Sequence, residues 1–309
     1  MTGYVHPEAQ AMIDRAASST EQIEMLTPAE IRAASDTRVA NAPLPKPDLH
    51  EVRDIVMPGP AGDLRLRLYL PSGDGSLPYC MYFHGGGFML GTLETHDALC
   101  RQLAARSGVA LIAVEFRLAP EHPAPAGSDD CLAATRWVHA HAAQLGLDPA
   151  RFAVGGESSG GNLAAGVAIR LRDGGPRPRM QLLLYPLVDM ALAHESYRTL
   201  GVGYLLTTAR SQFYVRNYLG PAGDVADPVN SPLRDRSPEQ TPATFLLTAT
   251  LDPSVGDTLD YGARLQAAGV AVEDVRFEGW THGFLFWGHE SGSIAALTKA
   301  GAALRRGLT

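Results

Sequence analysis

The chain has 309 residues, of which 45% are hydrophobic and 19% charged, so it can bury a large core and has the composition of a globular protein. Its formal net charge of −7 gives no reason to expect a nucleic-acid partner, and no segment has the ~18 consecutive apolar residues of a membrane span. No signal-peptide pattern and no cysteine pair at metal-binding or redox spacing is present, so we expect a cytoplasmic protein with reduced thiols, no metal and no cofactor.

The N-terminal part of the sequence predicts helices, and the part after residue 50 predicts a sheet. Two amphipathic helices are expected at residues 7–17 and 28–39, followed by a proline-rich linker at 41–47. After a first strand at residues 52–57, the clean alternation of residues 64–70 predicts a half-exposed strand, as at an antiparallel edge.

Later strands are predicted to be buried and parallel. They are solid apolar runs without alternation, which is typical of strands that helices cover on both faces. Helices between them, such as one at residues 129–144, complete the pattern of an α/β fold with a mostly parallel central sheet. The predicted strands are residues 78–83, 109–116, 180–187, 244–251 and 270–277.

Three consecutive glycines follow the first of these buried strands. The segment His84-Gly85-Gly86-Gly87-Phe88 lets backbone N–H groups face a ligand without obstruction from Cβ atoms. Preorganised N–H donors of this kind stabilise the oxyanion that forms in acyl transfer. We therefore expect Gly86 and Gly87 to supply oxyanion donors, while His84 and Gly85 hold the loop in shape.

A second glycine-rich segment, Gly156-Glu157-Ser158-Ser159-Gly160, lies between a strand-like run and a helix-like run. In this G-x-S-x-G pattern the central serine occupies a sharp strand-to-helix turn, where its hydroxyl can act as a nucleophile. The N–H of Ser159 is expected to complete the oxyanion hole. A phosphate-binding turn is the alternative interpretation, and the missing P-loop lysine disfavours it.

A serine nucleophile needs a histidine base, and the base needs an acid that orients it, in the chain order Ser, Asp or Glu, His. The histidines after Ser158 are His194, His282 and His289. Of these, His282 follows the strand predicted at residues 270–277, at the sheet edge where α/β sites assemble. His282 is therefore the predicted base.

The acid is expected at the end of the preceding strand. Asp252 directly follows residues 244–251. Its rivals are explained by the next helix, because Asp257 suits a helix N-cap and Asp260 suits a first turn. Asp252 is therefore the predicted third member of a catalytic triad.

Together these motifs resemble the hormone-sensitive-lipase-like (family IV) esterases of the α/β-hydrolase fold. The resemblance extends from about residue 54 to about residue 300, and it includes the segment Arg117-Leu118-Ala119-Pro120-Glu121-His122-Pro123. The family usually has GDSAG or GTSAG at the serine turn, so Glu157 and Ser159 depart from its pattern.

The resemblance implies a serine carboxylesterase that hydrolyses short- to medium-chain esters through an acyl-enzyme on Ser158. It implies N-terminal helices at residues 1–50 that contribute to a cap, and a catalytic domain at 51–309 with a cap insertion at about 190–225. The expected partner is a small-molecule ester, with no membrane and a possible homodimer. Two alternatives stay open: a lyase or dehydratase of the same fold, and a non-catalytic ligand-binding receptor, which the presence of His282 disfavours.

Overall fold

A computed structural model describes residues 3–17, 26–40, 42, 44–73 and 75–309. Its described part is built on one eight-stranded sheet with the order β1-β2-β4-β3-β5-β6-β7-β8. β2 is antiparallel to both β1 and β4, and all other neighbours are parallel. The strands are β1 (Glu51–Gly59), β2 (Gly62–Leu70), β3 (Leu77–Phe83), β4 (Ala110–Val114), β5 (Leu147–Glu157), β6 (Met180–Leu184), β7 (Ala243–Leu251) and β8 (Val272–Thr281).

Helices cover both faces of the sheet. They are α1 (Pro7–Ala17), α2 (Pro28–Ala40), α3 (Asp97–Ser107), α4 (Ala126–Ala140), α5 (Ser159–Arg170), α6 (Glu195–Thr199), α7 (Thr208–Leu219), α8 (Val255–Ala267) and α9 (Ala295–Leu308). Helices α3 and α9 pack on one face, and α4, α5 and α8 pack on the other. The fully buried strand β3 contributes side chains to the core on both faces of the sheet. Tyr79 and Met81 lie in one core cluster, and Cys80 and Tyr82 lie in the other. This is the α/β-hydrolase architecture that the sequence predicts.

The antiparallel strands differ from the prediction in one respect. β2 alternates as expected, since Leu64, Leu66 and Leu68 are buried while Arg65 and Arg67 are partly exposed. However, β2 is hydrogen-bonded on both sides, so β1 is the edge strand and the prediction of an edge at β2 was wrong. Alternation reports that one face is exposed, and it does not report how many neighbours a strand has.

Several helices and strands also begin or end a few residues away from the predicted boundaries. The N-terminal helices begin where predicted, whereas the linker at 41–47 falls partly outside the described residues. The strand expected to reach residue 187 ends at Leu184, because Tyr185 adopts a positive φ of 37°. Cys80, Cys100 and Cys131 are all buried free thiols.

Four parallel strands end at one edge of the sheet, and the candidate site residues directly follow these strands. The glycine loop follows β3, Ser158 follows β5, Asp252 follows β7 and His282 follows β8. Because the carboxyl ends of parallel strands meet at one edge, segments far apart in the chain converge there. Within the described ranges, no helix is long and apolar enough to cross a membrane, and no group of three or more His, Cys, Asp or Glu side chains could hold a metal ion.

Candidate active site

Ser158 lies on the sharp turn between β5 and α5. Its backbone has φ 56° and ψ −122°, a strained conformation for a residue with a side chain. The Ser158 N–H donates to Leu184 O at 2.9 Å, and Leu187 N–H donates to Ser158 O at 3.2 Å. The turn also requires Gly160, because a Cβ there would overlap the carbonyl oxygen of Phe83. This geometry is the strand-to-helix elbow typical of G-x-S-x-G segments.

Three of the predicted residues form one chain of hydrogen bonds. His282 Nε2 is 2.8 Å from Ser158 Oγ, and His282 Nδ1 is 2.6 Å from Asp252 Oδ2. Because an ionised carboxylate only accepts, Nδ1 carries a proton and Nε2 is left to accept from the serine hydroxyl. Asp252 Oδ1 accepts from the N–H and the hydroxyl of Ser254, at 2.9 and 2.8 Å. The arrangement can transfer the serine proton to the imidazole.

The carboxylates around His282 favour its charged form. Burial of the ring opposes the charge, but the negative charge and hydrogen bond of Asp252, together with the charge of Glu157, outweigh it. The pKa of His282 is therefore raised. A base of raised pKa binds the serine proton more strongly, and it needs a higher pH to be free of its own proton.

The rival acids lie apart from these hydrogen bonds. α8 begins at Val255 after Ser254, so Asp257 lies inside the first turn and Asp260 lies beyond it. The interpretation of Asp257 as an N-cap and of Asp260 as a first-turn residue was therefore wrong by a few residues. Burial, followed by the charges of Asp189 and Asp260, raises the pKa of Asp257 to about 7.

The rival histidines have local roles. His194 precedes α6 and caps it, since its Nδ1 accepts from Ser196 N–H at 3.0 Å. His289 Nδ1 lies 3.8 Å from Glu8 Oε1, at the surface between the N-terminal segment and the C-terminal part.

The glycine loop presents unused backbone donors. Gly86 and Gly87 have φ of 111° and 62°, conformations that favour glycine. Among the residues that the structure describes, the N–H groups of Gly86, Gly87 and Ser159 have no hydrogen-bond acceptor. Such a set of free donors near a serine hydroxyl suits the developing charge of an oxyanion.

His84 is fixed in a neutral form beneath this loop. Its ring is buried, lies 4.3 Å from the Phe116 ring and 5.0 Å from the His96 ring, and its Nδ1–H donates to Gly85 O at 2.8 Å. Burial, together with neighbouring His96, lowers the pKa of His84 to about 3. These contacts suit a role in loop shape rather than in proton transfer.

Aromatic residues of α7 cover the glycine loop. The Tyr218 ring stacks on Phe88 at 3.8 Å between centroids, and a Cβ on Gly87 would overlap the ring of Tyr214. Residue 87 must therefore be glycine for two reasons, its positive φ and the aromatic ring above it.

Several contacts near the site were not predicted from the sequence. Ser254 anchors Asp252, two residues earlier, and the Tyr185 ring lies 4.8 Å from the His282 ring. Arg32 of α2 donates from Nε to Met89 O at 2.9 Å and from Nη2 to Ala119 O at 3.0 Å. The contacts of Tyr185 and Arg32 join segments that are distant in the chain, so local patterns could not reveal them.

Comparison with known proteins agrees with this architecture. The family model described as alpha/beta hydrolase fold matches residues 80–286. The carboxylic ester hydrolase LipN of Mycobacterium tuberculosis is 42% identical over 276 residues, which cover 86% of this chain and 73% of LipN. Ethyl acetate hydrolase of Pseudomonas putida is 37% identical over 230 residues, 73% of this chain and 72% of that protein. The solved ester-hydrolase EH1AB1 from the metagenome of Lake Arreo matches with a TM-score of 0.94 at 35% identity, covering 98% and 99% of the two chains.

Fold and relatives together define a carboxylic ester hydrolase. The chain belongs to the alpha/beta-hydrolase family whose model it matches, and within that family to the hormone-sensitive-lipase-like bacterial esterases.

Proposed function

We propose that Ser158, His282 and Asp252 are the catalytic triad of this ester hydrolase. The observation that supports the proposal most directly is the continuous chain of hydrogen bonds from Ser158 Oγ through His282 to Asp252 Oδ2, at 2.8 and 2.6 Å. The strained turn holds the serine in place, and the tautomer of His282 leaves Nε2 free to accept its proton.

In the acylation step, Ser158 Oγ attacks the ester carbonyl while His282 Nε2 takes the hydroxyl proton. The carbonyl oxygen becomes an oxyanion that the N–H groups of Gly86, Gly87 and Ser159 stabilise. His282 then gives the proton to the leaving alcohol oxygen as the C–O bond breaks. Asp252 holds the Nδ1–H tautomer and stabilises the imidazolium in between.

Deacylation repeats these steps with water. His282 takes a proton from the water as its oxygen attacks the acyl-enzyme carbonyl, and the same donors stabilise the second oxyanion. The bond to Ser158 Oγ breaks, His282 returns the proton to the serine, and a carboxylic acid leaves. All groups required for these steps are side chains and backbone groups of this chain.

We propose short- to medium-chain acyl groups as the substrate class. Ring packing supports this limit, since Tyr218, Phe88 and Tyr214 fill space next to the glycine loop. The name of the relative ethyl acetate hydrolase points to a short ester for that protein. The cap that sets the limit is proposed to comprise the N-terminal helices within residues 1–50 and the insertion at about 190–225, because α7 of the insertion lies on Gly87 and Arg32 of α2 donates to the carbonyl of Met89, directly after the glycine loop.

Hydrolysis of p-nitrophenyl esters from acetate to palmitate tests these proposals, with Ser158→Ala measured beside the wild type. We expect turnover highest at short or medium chains and a loss of several orders of magnitude in the variant. Full activity of Ser158→Ala would refute the triad. Turnover highest at palmitate would refute the chain-length limit but leave the triad intact. No turnover by the folded wild type would favour elimination chemistry instead.

We further propose a homodimer that forms through β8, the edge strand opposite β1. An edge strand offers backbone groups that a second copy can pair with. One chain has a mass of 32.9 kDa, and sedimentation at several protein concentrations should give twice that mass. A monomer at all concentrations would contradict the proposal.

A cytoplasmic location, proposed from the three free thiols, predicts reaction of all three with a thiol reagent after denaturation.

A further inference from the structure

Glu157, one of the two residues that depart from the family pattern, contacts the first half of the glycine loop. The residue is only 3% exposed, and its carboxylate accepts a hydrogen bond from the N–H of Gly85. The same oxygen, Oε1, lies 3.1 Å from His96 Nε2. A Cβ on Gly85 would overlap this carboxylate, so the approach depends on glycine at position 85.

Ser159, the second departure, contacts the other end of the loop. The residue is 1% exposed, and its Oγ accepts from the Phe88 N–H at 3.2 Å. An alanine, which the family usually has here, could not accept this bond. The backbone N–H of Ser159 remains free of protein acceptors in the described part of the chain.

These two hydrogen bonds occupy some of the backbone N–H groups of the loop and leave others free. The N–H groups of Gly85 and Phe88, at its ends, are occupied by side chains from either side of Ser158. The N–H groups of Gly86 and Gly87, in its middle, are left free within the described structure. The loop is therefore attached to the serine turn itself, so donors and nucleophile are held in one rigid unit.

We propose that Glu157 and Ser159 are positioning residues that fasten the two ends of the loop 84–88 to the serine turn and so aim the N–H groups of Gly86 and Gly87. This inference rests on the proposed triad and oxyanion hole. Both residues then have the same role, since each supplies an acceptor for a backbone N–H that would otherwise be buried without a partner.

Glu157 has a second effect through its charge. The groups that face it are the Gly85 N–H, the His96 ring and the buried hydroxyls of Tyr82 and Tyr185. His282 is influenced by Asp252 and by Glu157, and both carboxylates favour its protonated form. Removing the charge of Glu157 should therefore lower the pKa of His282, whereas removing the Ser159 hydroxyl should not.

Ser159→Ala tests the attachment at Phe88 without altering the Ser159 N–H. Ser107→Ala is a matched control, because Ser107 is also buried and its Oγ accepts from the Val109 N–H at 3.1 Å, away from the site at the end of α3. We expect kcat for p-nitrophenyl butyrate to fall about two- to tenfold in Ser159→Ala. KM should be unchanged, because less precise oxyanion donors weaken binding of the transition state rather than of the ester. Ser107→Ala should keep the wild-type kcat.

Glu157→Gln tests the attachment at Gly85. The amide keeps an acceptor but loses the charge, so kcat should fall about tenfold as a charge-assisted bond becomes a neutral one. The acid limb of the kcat/KM profile should move to lower pH in Glu157→Gln and stay in place in Ser159→Ala. Thermal unfolding of each variant checks that activity is compared between folded proteins.

Equal kcat values for Ser159→Ala and Ser107→Ala would overturn the proposal for Ser159, even if Glu157→Gln fails to fold. An unchanged kcat at the pH optimum in a folded Glu157→Gln would overturn it for Glu157. If Ser158→Ala is fully active, the proposed triad fails instead. That result is distinguishable because it does not depend on the loop variants.

Discussion

Replacing Asp252 by Asn tests how the acid controls the tautomer of His282. The Asn side chain has only one oxygen, and the Ser254 N–H requires an acceptor where Asp252 Oδ1 now lies, at 2.9 Å. The amide NH₂ must then take the place of Oδ2, 2.6 Å from His282 Nδ1. An NH₂ can only donate, so Nδ1 becomes an acceptor and the proton moves to Nε2, which faces Ser158 Oγ.

This reversed tautomer cannot accept the serine proton. We expect kcat to fall about 10⁴-fold, which corresponds to about 5 kcal/mol of transition-state stabilisation. KM should change little, because Asp252 is buried behind the histidine and stabilises the imidazolium rather than the bound ester. The assay is steady-state hydrolysis of p-nitrophenyl butyrate, normalised to the concentration of active sites.

Asp257→Asn is the matched control, because it makes the same exchange at a buried carboxyl in the next helix. It should retain a kcat close to that of the wild type. More than about a tenth of the wild-type kcat in Asp252→Asn would refute the tautomer argument. An equal loss in both variants would show that the exchange disturbs the fold rather than the base.

The raised pKa of His282, the burial of Asp257 and the aromatic ring above Gly87 each have a measurable consequence. The acid limb of kcat/KM should lie above the ordinary histidine pKa of 6.5, because the base must be neutral and its pKa is raised; a limb below that value would contradict the effect of Asp252 and Glu157. Asp257 keeps its proton to about pH 7 when folded but loses it near pH 4 when unfolded, so its contribution to stability should fall as pH rises through this window, by on the order of 4 kcal/mol. Because the lowered pKa of His84 adds stability over part of the same window, urea unfolding should show that fall in the difference between the wild type and Asp257→Asn, and a constant difference would contradict it. Gly87→Ala should lower kcat about 10²–10³-fold, since its Cβ overlaps Tyr214 and displaces an oxyanion donor, and an unchanged kcat would exclude Gly87 from that role.

The parts of the site that sequence could predict are those tied to strand ends. Ser158, Asp252 and His282 each follow an apolar run, and the ends of parallel strands converge whatever the details of packing. The structure brings these three side chains together by hydrogen bonds, and their catalytic roles stay a proposal.

The parts that sequence could not predict depend on pairing across long stretches of chain. The edge position of β1 is decided by which strand lies beside β2, and alternation in β2 is the same in either case. The Glu157 carboxylate accepts from Gly85, 72 residues earlier, and Arg32 of α2 donates to the carbonyl of Met89, 57 residues later and directly after the glycine loop. Local patterns carry no information about such contacts.

Covalent trapping of the nucleophile is the sharpest test that Ser158 forms the acyl-enzyme. The protein is incubated with a p-nitrophenyl phosphonate ester, and the moles of p-nitrophenol released per mole of protein are measured. The modified peptide is then sequenced by mass spectrometry. We expect one phosphonyl group per active chain, attached to Ser158, with complete loss of ester hydrolysis. A label on Ser159 or another residue, or full activity with Ser158 modified, would contradict it.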